Sequence, residues 1–274
     1  MSSPGVPDDL LVQARSALLD AFETLAQHRD SVIVIGAQAV YLRAQNVSVA
    51  VAEATKDSDI VVDPRSLGDS PLIQDAMESG GFYRDPKNQP GAWLSAAGIP
   101  VDLMVPEKLA GEGSRGARIP PHDKHAARRA RGLESAVVDN DWMVVAALDP
   151  ADERSFEARV ASSAALLVAK AHKIHERATD APERLVDKDA HDIYRLLVAT
   201  PTETLSSGIA HLLVDELAGE TTIQAVDFLR DDFAAGPTAL GSMMAGRTEE
   251  GIGAPETVAL QASILASDLL KALG

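Results

Sequence analysis

Three aspartates and one glycine carry the sharpest chemical pattern in the chain. Asp57 and Asp59 stand two apart at the head of the apolar run Ile60-Val61-Val62, and Asp102 lies inside Pro100-Val101-Asp102-Leu103-Met104-Val105. Side chains alternate across a strand, so Asp57 and Asp59 face the same way if the first run is a strand. A lone carboxylate within the second run would be costly to bury without a partner. If the two strands are neighbours, three carboxylates converge. Like charges that close stay ionised together only with a cation among them. Mg²⁺ or Mn²⁺ suits such a set, taking hard oxygen ligands and leaving positions for phosphate oxygens and water. Two such ions about 4 Å apart would hold the attacking and leaving oxygens of a phosphoryl or nucleotidyl transfer. Upstream, Val32-Ile33-Val34-Ile35 stops at Gly36. A glycine there lets a phosphate approach the backbone, and the helix that follows offers free N–H groups. The plainer alternative is that Asp57-Ser58-Asp59 is a turn or cap on a solvated face and Asp102 an edge-strand surface residue.

The elements that must position these residues follow from periodicity. Residues 8 to 28 form an amphipathic helix through Leu11, Ala14, Leu18, Ala21, Phe22 and Leu25. Val32 to Ile35 is a buried strand, and Ala37 to Gln45 a helix entered directly from Gly36. Residues 47 to 54 fit either a strand or a loop. Asp59 to Val62 is a strand closed by Asp63-Pro64, and Leu72 to Ser79 a helix ended by Gly80-Gly81. Trp93-Leu94 and Pro100 to Val105 read as strands joined through Gly98-Ile99. Two more follow, Ala136-Val137-Val138 and Met143 to Leu148, with Asp139-Asn140-Asp141 as the turn. From Ser162 onward the pattern is helical: Ser162 to Arg177, Asp189 to Ala199, Thr204 to Leu217 and Pro255 to Leu273. The expected fold class is α+β, a mixed α/β sheet domain over 1–155 and a helical domain over 156–274. The boundary is set at Asp149-Pro150-Ala151-Asp152.

Composition bounds the function. The chain has 274 residues, is 46% hydrophobic and 24% charged, and carries a net charge of −16. That is globular composition, not disordered, collagen-like or coiled-coil. Aromatics are only 4%, too few for a base-stacking platform. An acidic chain repels nucleic acid on average, so any such contact needs a local patch. One exists: between Arg115 and Arg131 there are six Lys/Arg and one Asp, a local balance of +5. It reads either as an arm holding phosphates or an RNA backbone, or as a surface loop and helix set against the protein's own acidic face. Cysteine is absent, which removes disulfides, thiol catalysis and cysteine-ligated metals. No apolar run approaches the ~20 residues of a membrane span. The start MSSPGVPDDL lacks a basic, apolar leader. The expectation is a soluble cytoplasmic protein without membrane partners.

The helical half adds a basic stripe. Lys170, Lys173 and Arg177 fall at i, i+3 and i+7 of one helix. The plain reading is a solvated face. His172 and His175 share that helix with Glu176, but no third ligand completes a zinc site. Asp187, Lys188, Asp189, His191 and Asp192 cluster ahead of an apolar stretch. For Asp187 and Asp189 the helix dipole is sufficient reason.

These motifs, in order, resemble the polymerase-beta-like nucleotidyltransferase superfamily. Val34-Ile35-Gly36-Ala37, Thr55-Lys56-Asp57-Ser58-Asp59-Ile60, Val101-Asp102-Leu103, Lys170-Ala171-His172-Lys173 and Asp187 to Tyr194 carry the resemblance over residues 30 to 200. Within it the chain is most similar to the AbiEii and MenT type of toxin nucleotidyltransferases. The resemblance implies Asp57, Asp59 and Asp102 as metal ligands and catalytic residues, with Lys170 and Asp192 joining them from the helical half. It implies nucleotide contacts from Gly36, Ala37, Thr55, Lys56 and Lys173, with Arg118 of the basic segment offsetting ligand charge. The substrate would be a nucleoside triphosphate, the acceptor an RNA 3′ end (tRNA included) or a protein hydroxyl, and a basic antitoxin a possible partner protein. The chain departs from the family pattern at Ala37, Glu53 and Arg195. A degenerate member that binds nucleotide or a partner without catalysis is the alternative those departures favour.

Overall fold

Val32–Ile35 is four β-branched residues, and all four side chains are buried. Such a run has one stable setting, the interior of a sheet covered on both faces. In the computed structural model, which describes residues 9–45 and 57–274, it is the strand β1. It pairs antiparallel with β2 (Ser58–Val62) and parallel with β8 (Ser155–Ala161). Strand β2 pairs in parallel with β5 (Pro100–Pro106). With β3 (Tyr83–Arg84), β4 (Ala92–Leu94) and β7 (Asn140–Ala146) the sheet runs β3-β4-β5-β2-β1-β8-β7. A short strand, β6 (Arg128–Ala130), joins β5 in parallel beyond the end of β4. The fold is α+β with a mixed sheet.

Helix α1 (Asp9–Thr24) buries Leu11, Ala14, Leu18, Ala21 and Phe22 against the sheet. The Ser58 hydroxyl donates to the Ala14 carbonyl at 2.8 Å, so the Ser58 face of β2 is the one α1 covers. Arg15 is 2% exposed on the same helix. Its Nε donates to Gln38 Oε1 at 2.8 Å and its Nη1 to the Ala146 carbonyl at 2.9 Å. It thereby locks the first turn of α2 (Gly36–Arg43) to the edge of β7.

The chain divides into two compact units, neither of them continuous in sequence. The first takes residues 9–38, 57–130 and Trp142–Val160; the second takes 39–45, Arg131–Asp141 and Ala161–Gly274. Asp149 to Asp152 is the turn of the β7–β8 hairpin, closed by Ala147 N–H donating to Arg154 O at 3.0 Å. The expected boundary there is thus a turn inside the first unit.

Ala136-Val137-Val138, expected as a strand, ends a short helix, α4 (Glu134–Val138). Asn140 Nδ2 donates to the Ala136 carbonyl at 2.9 Å and Ser135 Oγ to the Gly132 carbonyl at 3.3 Å, and these local bonds outweigh β-propensity. Nor does the basic segment form an exposed helix. It folds as loops ending in β6, with an antiparallel bridge between Gly116 and Arg128. Residues 47 to 54 fall outside the described residues.

The second unit is helical: α5 (Ser163–Asp180), α6 (Asp187–Ala199), α7 (Thr202–Leu213), α8 (Gly219–Leu229), α9 (Leu240–Arg247) and α10 (Pro255–Leu273). Ser162 caps α5, accepting from Ala165 N–H at 3.0 Å. Val258, Ala262, Ala266 and Leu269 form the buried stripe of α10. Tyr194 of α6 donates to Gln261 Oε1 of α10 at 2.5 Å. Among the described residues no helix is long and apolar enough to cross a membrane.

Replacing Arg15 with Met keeps an apolar stem but strands the buried Gln38 amide oxygen and removes the donor to the Ala146 carbonyl. Urea unfolding is expected to register a loss of about 3 kcal/mol.

Candidate functional site

The site in the first unit is assembled by strand register. Ile35, the last residue of β1, is the Cα partner of Asp59. Gly36 follows with φ +66° and opens α2. A Cβ on Gly36 would collide with the Asp59 carboxylate. Glycine is therefore required twice over, for the left-handed backbone and for the space. On the other side of β2, Asp59 is the Cα partner of Asp102 on β5. Paired residues on adjacent parallel strands share a face across about 4.8 Å. Ser58 points toward α1, so by alternation both carboxylates lie on the opposite face. Asp57 lies one residue before β2 and is exposed. Ala37, half-buried, is the second residue of α2. Thr55, Lys56 and Glu53 lie outside the described residues.

A cation from the chain itself already meets this pair. Arg128 Nη2 donates to Asp102 Oδ2 at 3.2 Å, with the two side chains 37% and 26% exposed. An ion pair so accessible to water contributes less than about 1 kcal/mol. It offsets the carboxylate charge and yields at little cost to a stronger ligand. Among the described residues, no three His, Asp or Glu side chains gather into a ready metal cage. The arrangement suits the other mode of Mg²⁺ binding, in which one or two carboxylates hold the ion and substrate phosphates and water complete its shell.

In the second unit, Lys170 and Asp192 meet directly, but as part of a buried ion network. Lys170 Nζ donates to Asp189 Oδ1 at 2.7 Å and to Asp192 Oδ2 at 2.6 Å, with side chains 6%, 7% and 3% exposed. Lys173 and Arg177 also donate to Asp189, at 3.0 and 2.9 Å. Burial pushes the Lys170 ammonium down, yet the charges of Asp189 and Asp192 hold it well above the ordinary lysine range. Burial raises Asp189, yet Lys170 and Lys173 hold it well below the ordinary carboxylate range. The basic stripe is thus a set of cations folded onto one carboxylate. Asp189, which the helix dipole alone seemed to explain, is its hub. Nineteen residues separate Lys170 from Asp189, and nothing local announces the pairing.

The neighbouring histidines are packing groups. His172 is buried, its Nε2 lies 2.7 Å from Thr221 O, and its ring meets Phe228 edge-on. His175 stacks on the same Phe228 with ring centroids 3.7 Å apart. Arg195, 6% exposed, is pushed down by burial while Asp192 pulls it back up. It therefore adds a cation to the Asp192 side of the network. The sequence places His191 in this cluster but does not pair it with Glu249, whose Oε1 lies 3.2 Å from His191 Nε2.

No protein-family model matches the chain, and no curated protein matches it. Among solved structures it is similar to an antigenic nucleotidyltransferase-like protein from Paracoccidioides brasiliensis. That likeness has 14% identity and a TM-score of 0.39 over 80% of this chain and 94% of that one. It is also similar to a candidate nucleotidyltransferase from H. pylori, at 11% identity and a TM-score of 0.35 over 97% of both chains. Likeness at that level sets no function.

Two outcomes follow from the geometry. Gly36→Ala forces a left-handed alanine against Asp59 and is expected to cost about 2 kcal/mol in chemical unfolding. Asp189→Asn leaves Lys170 short of a buried counter-charge and is expected to cost about 3–5 kcal/mol at neutral pH. It also changes the acid limb. The unfolded aspartate titrates near about 3.9 and the folded one lower. Between those values the unfolded chain binds the extra proton, so wild-type stability falls as pH falls through that window. The slope contributed by Asp189 disappears in the variant, which unfolding curves between neutral and acid pH will record.

Proposed function

We propose that the chain is a divalent-metal-dependent nucleotidyltransferase with Asp57, Asp59 and Asp102 as its carboxylates and a nucleoside triphosphate as substrate. The observation that carries this reading is the register Ile35–Asp59–Asp102, which sets two carboxylates side by side with Gly36 against one of them. Asp59 and Asp102 would hold Mg²⁺ or Mn²⁺, with Asp57 at the mouth of the site. A bound divalent ion supplies neutralisation of the charge that develops on the phosphoryl oxygens. Gly36 leaves the backbone bare where the triphosphate approaches, and the first N–H groups of α2 favour its charge. The acceptor hydroxyl oxygen bonds to the α-phosphorus while the bond from α-phosphorus to the bridging oxygen breaks. Pyrophosphate leaves, and Asp102, released from Arg128, takes the hydroxyl proton. The acceptor in this reading is an RNA 3′ end, tRNA included, or a protein hydroxyl. A role as the cytoplasmic toxin of a toxin–antitoxin pair is compatible with it. Lys170 and Asp192 take no step; their mutual burial supports a role in holding the helical unit together.

Two observations favour a second reading, nucleotide binding without transfer. Arg128 already occupies Asp102, and Arg195, which departs from the family pattern, is buried beside Asp192. Label transfer separates the two. Purified protein with Mg²⁺, each α-labelled nucleoside triphosphate and total RNA is expected to label RNA or protein. Asp57→Ala/Asp59→Ala should lower that by on the order of 100-fold or more. Nucleotide that raises the melting temperature without any labelled product would establish the binding reading instead.

A further inference from the structure

In this acidic chain most guanidinium groups have a carboxylate. Arg43 pairs with Asp141, Arg84 with Asp123, Arg154 with Asp20 and Asp152, and Arg247 with Asp187. Arg115, Arg118 and Lys124 differ. Among the described residues none of the three makes an ion pair, although the chain as a whole carries −16. All three line one hollow of about 370 Å³ in the first unit, together with the His125 imidazole and a single acid, Glu112. Three cations facing one another at an open surface repel, and that arrangement is relieved by an anion.

The hollow is built on a fixed frame. Gly91 N–H donates to His125 O at 2.9 Å, Arg118 N–H to Ala110 O at 2.8 Å, and Arg129 N–H to Arg115 O at 2.9 Å. Gly116 lies so close to the Lys124 carbonyl that no Cβ fits. The backbone that displays the cations is therefore tied to β5 and β6. No Phe, Tyr or Trp lines the hollow, and its apolar wall is Pro90. The cations outnumber every other chemistry in the lining, so a ligand held there is recognised first through its anionic groups. Guanidinium forks and an ammonium together suit phosphate oxygens. Gly91 immediately precedes Ala92, the Cα partner of Asp102, and Gly116 bridges Arg128.

We propose that this hollow is a phosphate-binding site that takes a run of two or three phosphates without a divalent cation, separately from Asp59 and Asp102. It stands whether or not those carboxylates transfer nucleotides. The test uses the full chain in EDTA with two probes, inorganic tripolyphosphate and a single-stranded RNA twelve-mer lacking a 5′ phosphate. Both are expected to bind, the RNA with log Kd rising against log salt with a slope of about 2 for three contacts. In R115Q/R118Q/K124Q both should weaken by roughly tenfold or more, with the melting temperature unchanged because the three side chains are exposed or at the rim. Asp57→Ala/Asp59→Ala should bind as wild type does. Tighter RNA identifies the natural source as a strand, and tighter tripolyphosphate a free polyphosphate; either supports the site. Binding of neither probe, binding unchanged in the triple variant, or binding lost in the aspartate variant would overturn it.

Discussion

Asp59 lies beside Asp102 because β2 runs antiparallel to β1 and parallel to β5 in one register. Slipping that register by a single residue would turn Asp59 toward α1 and Ser58 outward, exchanging a hydrogen bond to Ala14 for a buried carboxylate. The apolar faces of Ile60, Val61 and Val62, all essentially inaccessible to water, hold the register against that slip. The same pairing brings Ile35 opposite Asp59, so the strand must leave the sheet at Gly36 with no side chain to spare. Glycine, carboxylate pair and helix start are one geometric consequence of three strands.

The helical unit rests on a different interaction. Lys170 is buried between Asp189 and Asp192, and the desolvation of three charges is offset only because each finds a partner at hydrogen-bond distance. Lys173 and Arg177 reach Asp189 from the same helix and give it more positive charge than it needs. Asp192 and the nearby Arg195 keep the balance on the other side. A network of this kind fixes how α5 and α6 face each other, since any rotation leaves a bare charge inside. Removing one member is therefore much more damaging than the small net value of the assembled set.

Much of the first unit is legible in the sequence because its strands are short, apolar and punctuated. Val32–Ile35 stopped by Gly36, and Pro100–Pro106 with one acid inside it, leave few other settings. Strand β8 was missed although Phe156, Ala158 and Val160 alternate with polar residues, a period of two that the expectation of a domain boundary obscured. Residues 136–138 read as a strand because three β-branched or small residues cannot report the side-chain bonds from Ser135 and Asn140 that close a helical turn. The carboxylate pair was readable only on the condition that the two strands are neighbours; the guanidinium on it was not, since Arg128 is 26 residues from Asp102. Likewise the stripe of Lys170, Lys173 and Arg177 was visible, but whether it faced water or Asp189 depends on how α5 packs on α6. Helices α8 and α9 escaped notice because Gly219, Gly241 and Gly246 look like breaks. Gly241 and Gly246 instead let neighbouring groups pack closely, the Phe233 ring on one and the Pro255 backbone on the other.

In the proposed reading Asp59 and Asp102 act together as a divalent-cation pair completed by substrate phosphates. Mn²⁺ binding followed by electron paramagnetic resonance, with and without nucleoside triphosphate, tests it most directly. Weak binding to the protein alone is expected, with tighter binding when triphosphate is present and loss of that gain in both Asp59→Asn and Asp102→Asn. Mn²⁺ and triphosphate binding the two variants as tightly as the wild type would contradict it.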